Sequence, residues 1–562
     1  MSATTARPDP ASPRRAWWLA LALVIAAGLL ALALASRNFQ SRLDSDLLWP
    51  QIFLHDLHDP HHPVSGWNFG SATFWFPDYL SFLPLYWLCG NSGLGYPLYI
   101  AFLFLLTGAM MAWALAATGV ARRKAVVAAF MVVDAVLLTQ FIPGHDGWLW
   151  LLGIPCDHGG NVPLGFALLA LVFGAIRAGQ WSWRRTLAYL IICGLGLVAD
   201  AMTLAHWLAP VGIALAGQSW RARELRPVWW GFCWRTGAAL AFTAAVRVTF
   251  SATQTFFFSP LFQYPPTPQN VGKSFGHFLD GVFHGGVIMD HWALWLLAAA
   301  GIGVAIAVLR KRGEGKIDAT TRIALGAGLL SLLFAFLAPF ATVYWINEHS
   351  IRYLLNWLML PGWMLALCLC RRPTLPRWLP KLAGVTALVG IIAAMPQIKS
   401  ENLFFPNPPE AETLREFLGE NNLHEGLADF WRAHLLTAEW RFAGPRLGII
   451  ADYFYPCFWC NNAFDYFPDS ADGRGLAPPA PQFVILDGND PAHAGLDIQR
   501  LLAWLHSNQL HVVRVGGYAV ALLTPDQTRR AGDQIAFAVK NLLQGRRASW
   551  LESQVAASPA VP

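Results

Sequence analysis

What most constrains this chain is a recurrence of long apolar runs whose intervening gaps carry basic clusters only in alternation. The runs lie at 16–36, 96–118, 125–142, 163–177, 186–200, 203–217, 236–252, 291–309, 322–343, 353–370 and 382–396. There are about eleven, each of a length that suits crossing a hydrocarbon core of about 30 Å. Within such a core every backbone N–H and C=O must be satisfied inside its own segment, so the runs are read as helices. With 55% hydrophobic and 13% charged residues, the chain is excluded from the soluble, disordered and collagenous classes. Its 27 Trp and 36 Phe supply the amphipathic rings that many membrane crossings require at their interfaces. The predicted fold class is an all-α polytopic transmembrane bundle over 16–396, followed by a small α/β domain outside the membrane.

The charges set the orientation. Arg122/Arg123/Lys124, Arg177/Arg184/Arg185, Arg221/Arg223/Arg226/Arg235, Arg310/Lys311/Arg312/Lys316 and Arg371/Arg372/Arg377/Lys381 fall in alternate loops, on the side of the Arg-containing N-terminus. By the positive-inside rule that side is cytoplasmic, with residues 1–15 as a cytoplasmic N-terminus. Arg37, Arg42, Lys273 and Arg352 are exceptions. The net charge of +6 is therefore an orientation signal, and no nucleic-acid partner is expected. The first run is longer than a signal-peptide core and no small-residue cleavage site follows it, so it is read as a retained helix. Loops 37–95, 143–162 and 253–290 then lie outside, as does everything beyond 396. A bacterial inner-membrane location follows as an expectation, with the C-terminal domain periplasmic or extracellular.

Residues 397–548 turn richer in Asp, Asn and Pro and contain no spanning run. Glu410–Asn421 and Leu496–Ser507 read as helices, Leu447–Ala451 and Gln482–Asp487 as short strands, and His511–Val515 with Tyr518–Leu523 as a hairpin around Gly516-Gly517. One more helix is expected over Asp526–Gln544, and residues 549–562 read as a disordered tail. Cys457 and Cys460 stand in this outer domain, where thiols oxidise. No thioredoxin-like pattern surrounds them, so a structural disulfide is expected rather than a redox pair.

Polar residues against an apolar background mark the candidate chemistry, because their burial is costly. Asp44 and Asp46 follow the first span directly; at i and i+2 in an extended stretch they can converge on one ligand. They are the candidate catalytic residues, and with Asp157 from the second outer loop the candidate ligands of a divalent cation, Mg or Mn. The alternative is a pair of solvated loop acids capping the next helix. Asp157 and His158, in Cys156-Asp157-His158-Gly159-Gly160-Asn161, either supply second-loop ligands or cap the following helix. Asp200 and His206 bracket a further outer turn, as functional groups or as partners in an interhelical hydrogen bond. Arg352 places a cation at the outer surface, suited to a phosphate by its two-pronged guanidinium or to a salt bridge with Glu348. The His/Asp run from His55 to His62 has irregular spacing and reads as surface loop more than metal site. No nucleotide-binding glycine motif stands in a fitting context.

This arrangement resembles the type C membrane glycosyltransferases. Asp44-Ser45-Asp46 stands where that superfamily carries its first-loop acidic motif. Phe76-Pro77-Asp78-Tyr79-Leu80 and the residues after it look like its proline-containing amphipathic segment. Arg352-Tyr353-Leu354-Leu355 before Leu360-Pro361 looks like the start of a late helix in several of its families. The resemblance covers roughly 1–396 as architecture. It implies a sugar donor carried on a polyprenyl phosphate, transfer with inversion at the outer leaflet, and a first-loop Asp as the base that activates an acceptor on a glycan, lipid or protein. Asp78, Asp157, His158, Glu348 and Arg352 are then the candidate substrate-binding residues. The outer domain and the His-rich stretch after Asp59 depart from the pattern. Two other classes compete: a non-catalytic membrane scaffold with the same fold, and a lipid-linked-sugar transporter. The transporter class lacks its expected internal repeat here.

Overall fold

The computed structural model describes residues 13–40, 43, 45–58, 67–69, 74–142, 158–252, 257–258, 266–283, 291–310, 318–342, 348–371, 378–406, 408–440, 443–445, 447–450, 461–462, 478–487 and 498–542. Asp44, Asp157, Cys457 and Cys460 lie outside them, as do the side chains of Asp46 and Glu348.

The bundle begins with α1 (Pro13–Asn38). The first outer loop then forms α2 (Ser45–Asp56), a short turn Trp75–Tyr79 and α3 (Leu80–Cys89). Next come α4 (Gly95–Ala117), α5 (Arg122–Thr139), α6 (Asn161–Ala178), α7 (Trp183–Ala199), α8 (Ala209–Arg221) and α9 (Arg226–Ala252). The third outer loop holds α10 (Pro268–Phe283), followed by α11 (Trp292–Arg310), α12 (Ala319–Ala341), α13 (Asn356–Cys370) and α14 (Leu379–Ala394). Seven of the described helices are long and apolar enough to cross a membrane, namely those at 16–38, 95–117, 161–178, 292–310, 319–341, 352–370 and 379–397. The other four predicted runs are helical too. They depart from an ideal span in identifiable ways: Arg122, Arg123, Lys124 and Asp134 charge α5, α7 and α8 are short, and Arg226, Arg235 and Arg247 interrupt α9.

Small residues allow close helix crossings, as expected where packing rather than water drives association. A side chain at Gly301 of α11 would meet the backbone of Pro361 in α13, and one at Gly165 of α6 would overlap the Trp207 ring. Trp17, Trp18, Trp183, Trp220, Trp230, Trp234 and Trp378 are exposed near the basic clusters, where an aromatic belt belongs.

Beyond α14 the chain forms α15 (Pro409–Glu420), β3 (Gly426–Asp429), α16 (Phe430–Glu439), β4 (Leu447–Ile450), β6 (Phe483–Asp487), α17 (Ile498–Trp504), β7 (His511–Val515), β8 (Tyr518–Leu522) and α18 (Pro525–Leu542). The five strands are ordered β4-β3-β6-β8-β7, with β3 parallel to both β4 and β6 and the β7–β8 hairpin antiparallel. Alternation places Phe483 and Ile485 on the face covered by α15 and α16, and Val484 and Leu486 on the face covered by α17 and α18. The predicted hairpin falls where the Gly-Gly turn places it. The reading along the sequence missed β3 and α16.

Three features fasten this domain to the bundle. Phe405 stacks on Phe39 and donates its backbone N–H to Ser92 O at 3.0 Å. Leu435 and Ala438 of α16 join the bundle's apolar core beside α2. A second sheet, β2-β1-β5, pairs β1 (Trp67–Phe69) of the first outer loop with β2 (Phe257–Phe258) of the third and β5 (Asn461–Asn462) of the outer domain.

Candidate active site at one end of the bundle

The turn Trp75–Tyr79 is pinned before it begins: Phe74 N–H donates to Ala199 O, at the end of α7, at 3.2 Å. This holds Asp78 against α4 and α6. Its carboxyl accepts a hydrogen bond from the Tyr99 hydroxyl and another from the Gly160 backbone N–H. Gly160 lies at the N-terminus of α6, where unsatisfied N–H groups and the helix dipole favour a carboxylate. A methyl at Gly160 would overlap both Asp78 carboxyl oxygens, so only glycine permits this approach. Asp78 is 2% exposed. Burial pushes its pKa up from 3.8 to about 7, against the Tyr99 hydrogen bond; Asp200 raises it further, while His158 and the Gly160 N–H pull it down.

His158 adopts a left-handed backbone, φ 65°, in the turn that opens α6. Its Nδ1 lies 2.8 Å from Asp200 Oδ2. Asp200 ends α7 in an extended conformation, and its Oδ1 accepts from Met202 N–H at 2.8 Å. The imidazole is flanked by Phe74 and Tyr353, with ring centroids at 5.2 and 5.4 Å. Arg352 lies over the Tyr353 ring at 5.5 Å, which links the predicted cation to the histidine. Arg247 of α9 is within electrostatic reach of Asp200.

The residues around this group are fixed from several elements. Asn161 accepts from the Thr203 hydroxyl at 3.1 Å. The carbonyl of buried His206 accepts from Ser331 of α12, whose hydroxyl also receives Asn356 Nδ2 at 3.1 Å. This interhelical bond uses the backbone of His206, whereas its imidazole Nε2 is buried and makes no hydrogen bond among the described residues, so neither of the two roles its sequence position suggests is decided.

Of the predicted residues, Asp78, His158 and Asp200 are brought together, while Arg352 is related to them through Tyr353, whose ring it overlies and which flanks His158. Asp46 stands in the first turn of α2. That helix packs on the Asp78 turn through Trp49 and Phe53, whose rings lie 5.3 and 5.5 Å from Tyr79. Glu348 is in the short helical turn that ends at Leu354 and carries Arg352. Asp56 serves the first loop internally, accepting from Trp67 Nε1 at 2.9 Å. Among the described residues no three His, Cys, Asp or Glu side chains are placed to hold a metal ion. Two of the three predicted cation ligands, Asp44 and Asp157, lie outside those residues, as does the side chain of the third, Asp46.

The sequence reading missed Arg247, Asp134 and Tyr99. Arg247 and Asp134 carried a usable signal, each being a charge inside an apolar run. Tyr99 carried none, since a tyrosine near a helix start is ordinary.

No family model matches this sequence, and no curated protein does. Among solved structures, the crystal structure of ArnT from Cupriavidus metallidurans bound to undecaprenyl phosphate is similar, with a TM-score of 0.50 and 12% identity over 90% of this chain and 98% of that one. At this identity the likeness is one of fold.

Proposed function

From the premise that this is a membrane protein with the type C glycosyltransferase fold, we propose that it transfers a hexosyl or pentosyl group from a polyprenyl-phosphate donor to an acceptor at the outer face of the membrane. One observation carries the reading. A buried acid and a carboxylate-braced histidine meet at one end of an apolar bundle, with Arg352 on the far partner of the histidine, Tyr353, and with the first-loop helix that bears Asp46 packed on the same turn. Such a place suits a substrate with an ionic head and a long apolar tail, because the tail lies among helices while the head meets the polar group. The ArnT structure holds a lipid of this kind, undecaprenyl phosphate.

In the proposed reaction Asp44 or Asp46 accepts the acceptor's hydroxyl proton as the oxygen attacks the anomeric carbon. Arg352 neutralises the departing phosphate. The cytoplasmic N-terminus and the periplasmic outer domain belong to the same reading. The test is sugar incorporation by Asp44→Asn and Asp46→Asn variants, with mass spectrometry of lipid-linked sugars in a deletion strain. Loss of transfer in at least one inserted variant supports the enzyme. Unchanged incorporation in both, with unchanged lipid pools, would favour a scaffold.

A further inference from the structure

At the end of the bundle with the basic clusters, two segments hold cations that no neighbouring acid offsets. Residues 118–124, joining α4 to α5, include Arg122, Arg123 and Lys124, and residues 177–185, joining α6 to α7, include Arg177, Arg184 and Arg185; neither segment contains Asp or Glu. At the α4–α5 turn these charges converge. Gly119 takes φ 105° there, and the point from which a side chain would start lies 3.5 Å from Arg177 Cζ and 3.4 Å from Arg371 Nη2. Two guanidiniums, one from the last turn of α6 and one from the residue that follows α13, are thus held against a single glycine.

The end of α4 anchors both. Arg177 donates to Ala116 O at 3.3 Å, and Arg371 donates to Thr118 O. Asp318 pairs with Arg371 at 3.0 Å, whereas Arg177 has no carboxylate among the described residues and has used one of its five donors. Beside them α5 opens with three cations in its first turn, at the positive end of its dipole, and its N-cap residue Ala121 has no side chain to accept from the free N–H groups. Lys124 is within electrostatic reach of Cys370, the neighbour of Arg371. Like charges gathered this closely repel, and an anion shared between them removes the repulsion while meeting the unused donors.

The adjoining surface suits an anion with an apolar tail. Arg123 lies over the Trp17 ring of α1 at 5.8 Å. Trp17, Leu21 and Ile25 are exposed at i, i+4 and i+8, so one strip of α1 leads from that cation along the apolar span. We propose that the α4–α5 turn, with Arg177 and Arg371, binds the headgroup phosphate of an anionic phospholipid, whose acyl chain follows this strip. The site lies at the opposite end of α4 from Tyr99 and does not depend on the transferase reading.

The test titrates the full chain in detergent with dioleoyl phosphatidylglycerol and counts bound lipid by native mass spectrometry. Phosphatidylglycerol is expected to bind at least about tenfold more tightly than dioleoyl phosphatidylcholine, whose headgroup has no net charge. Arg177→Gln combined with Arg371→Gln is expected to lose at least about tenfold in affinity, the scale of two basic contacts to an anionic lipid. Arg221→Gln combined with Arg223→Gln removes the same charge from the α8–α9 turn and is expected to keep wild-type affinity. Wild-type affinity in the first pair overturns the site, as does an equal loss in both pairs, which would mean diffuse surface attraction. Should the first pair not fold, Asp318→Asn decides. It releases Arg371 and is expected to bind phosphatidylglycerol about two- to threefold more tightly; unchanged or weaker binding overturns the site. Inorganic phosphate at the lipid's concentration is expected to leave the lipid bound, and displacement by it would overturn the assignment to a lipid.

Discussion

The two ends of the bundle hold their charged residues in opposite ways. At the end with the basic clusters Arg122, Arg123, Lys124, Arg177, Arg221 and Arg371 are exposed, and their contacts are peripheral: Arg177 reaches the carbonyl of Ala116, and Arg371 that of Thr118 and the Asp318 carboxylate at 3.0 Å. Arg235 is the buried exception. It is fully engaged, with Thr186 and Gly231 O as acceptors and Trp181 and Trp234 as ring faces. At the opposite end Asp78 and Asp200 are 2% and 6% exposed, each committed to named partners. Position relative to water separates the two cases. A solvated cation orients a helix, whereas a buried acid has its protonation set by its neighbours.

The change that breaks this contrast most is Gly160→Ala. It displaces the Asp78 carboxyl from Tyr99 and the α6 N-terminus, leaving buried groups unsatisfied at a cost of about 2–3 kcal/mol. Thermal melting in detergent should show the loss; a melting temperature within error of wild type would mean that the turn can yield. Asp134 is next and has the opposite sign. It is 0% exposed inside α5, with no hydrogen bond among the described residues. Asp134→Leu is expected to stabilise by about 1–2 kcal/mol, because the polar group loses hydration without compensation. Destabilisation would reveal a partner beyond the described residues.

A smaller effect comes from pH. Asp78 rises from 3.8 to about 7, and in the outer domain burial raises Glu425 and Glu439 from 4.5 to about 7. Between these values the folded protein binds more protons than the unfolded chain, so stability falls as pH rises from about 4 to about 7. Melting temperatures across that range should decline, and more shallowly in Asp78→Asn. A decline as steep as wild type would remove Asp78 from the explanation. The smallest effect is expected at the end with the basic clusters. Asp318→Asn keeps the cap on Thr321 N–H but removes the Arg371 ion pair, whose side chains are 31% and 46% exposed, for less than about 1 kcal/mol. A larger loss would show that charges at that end also bear on stability.

What the sequence determined by itself is whatever leaves a local or periodic trace. Apolar runs with alternate basic gaps specify helices and their polarity, because the bilayer penalises unsatisfied backbone and charge wherever they occur. The hairpin around Gly516-Gly517 is equally local. Acids and histidines crowded into the outer loops marked the end where chemistry belongs. Strand β3 escaped because four buried residues, Gly426 to Asp429, show no alternation when both faces of a central strand are covered. The β2-β1-β5 sheet escaped because its strands are two or three residues long and take their partners from distant loops. Only the tertiary structure decided that Asp78 meets Tyr99 and Gly160, and that His158 finds Asp200 across 42 positions. Those meetings depend on how closely a glycine lets two elements approach and on where one helix ends against another. These are properties of packed pairs, and no single segment encodes them.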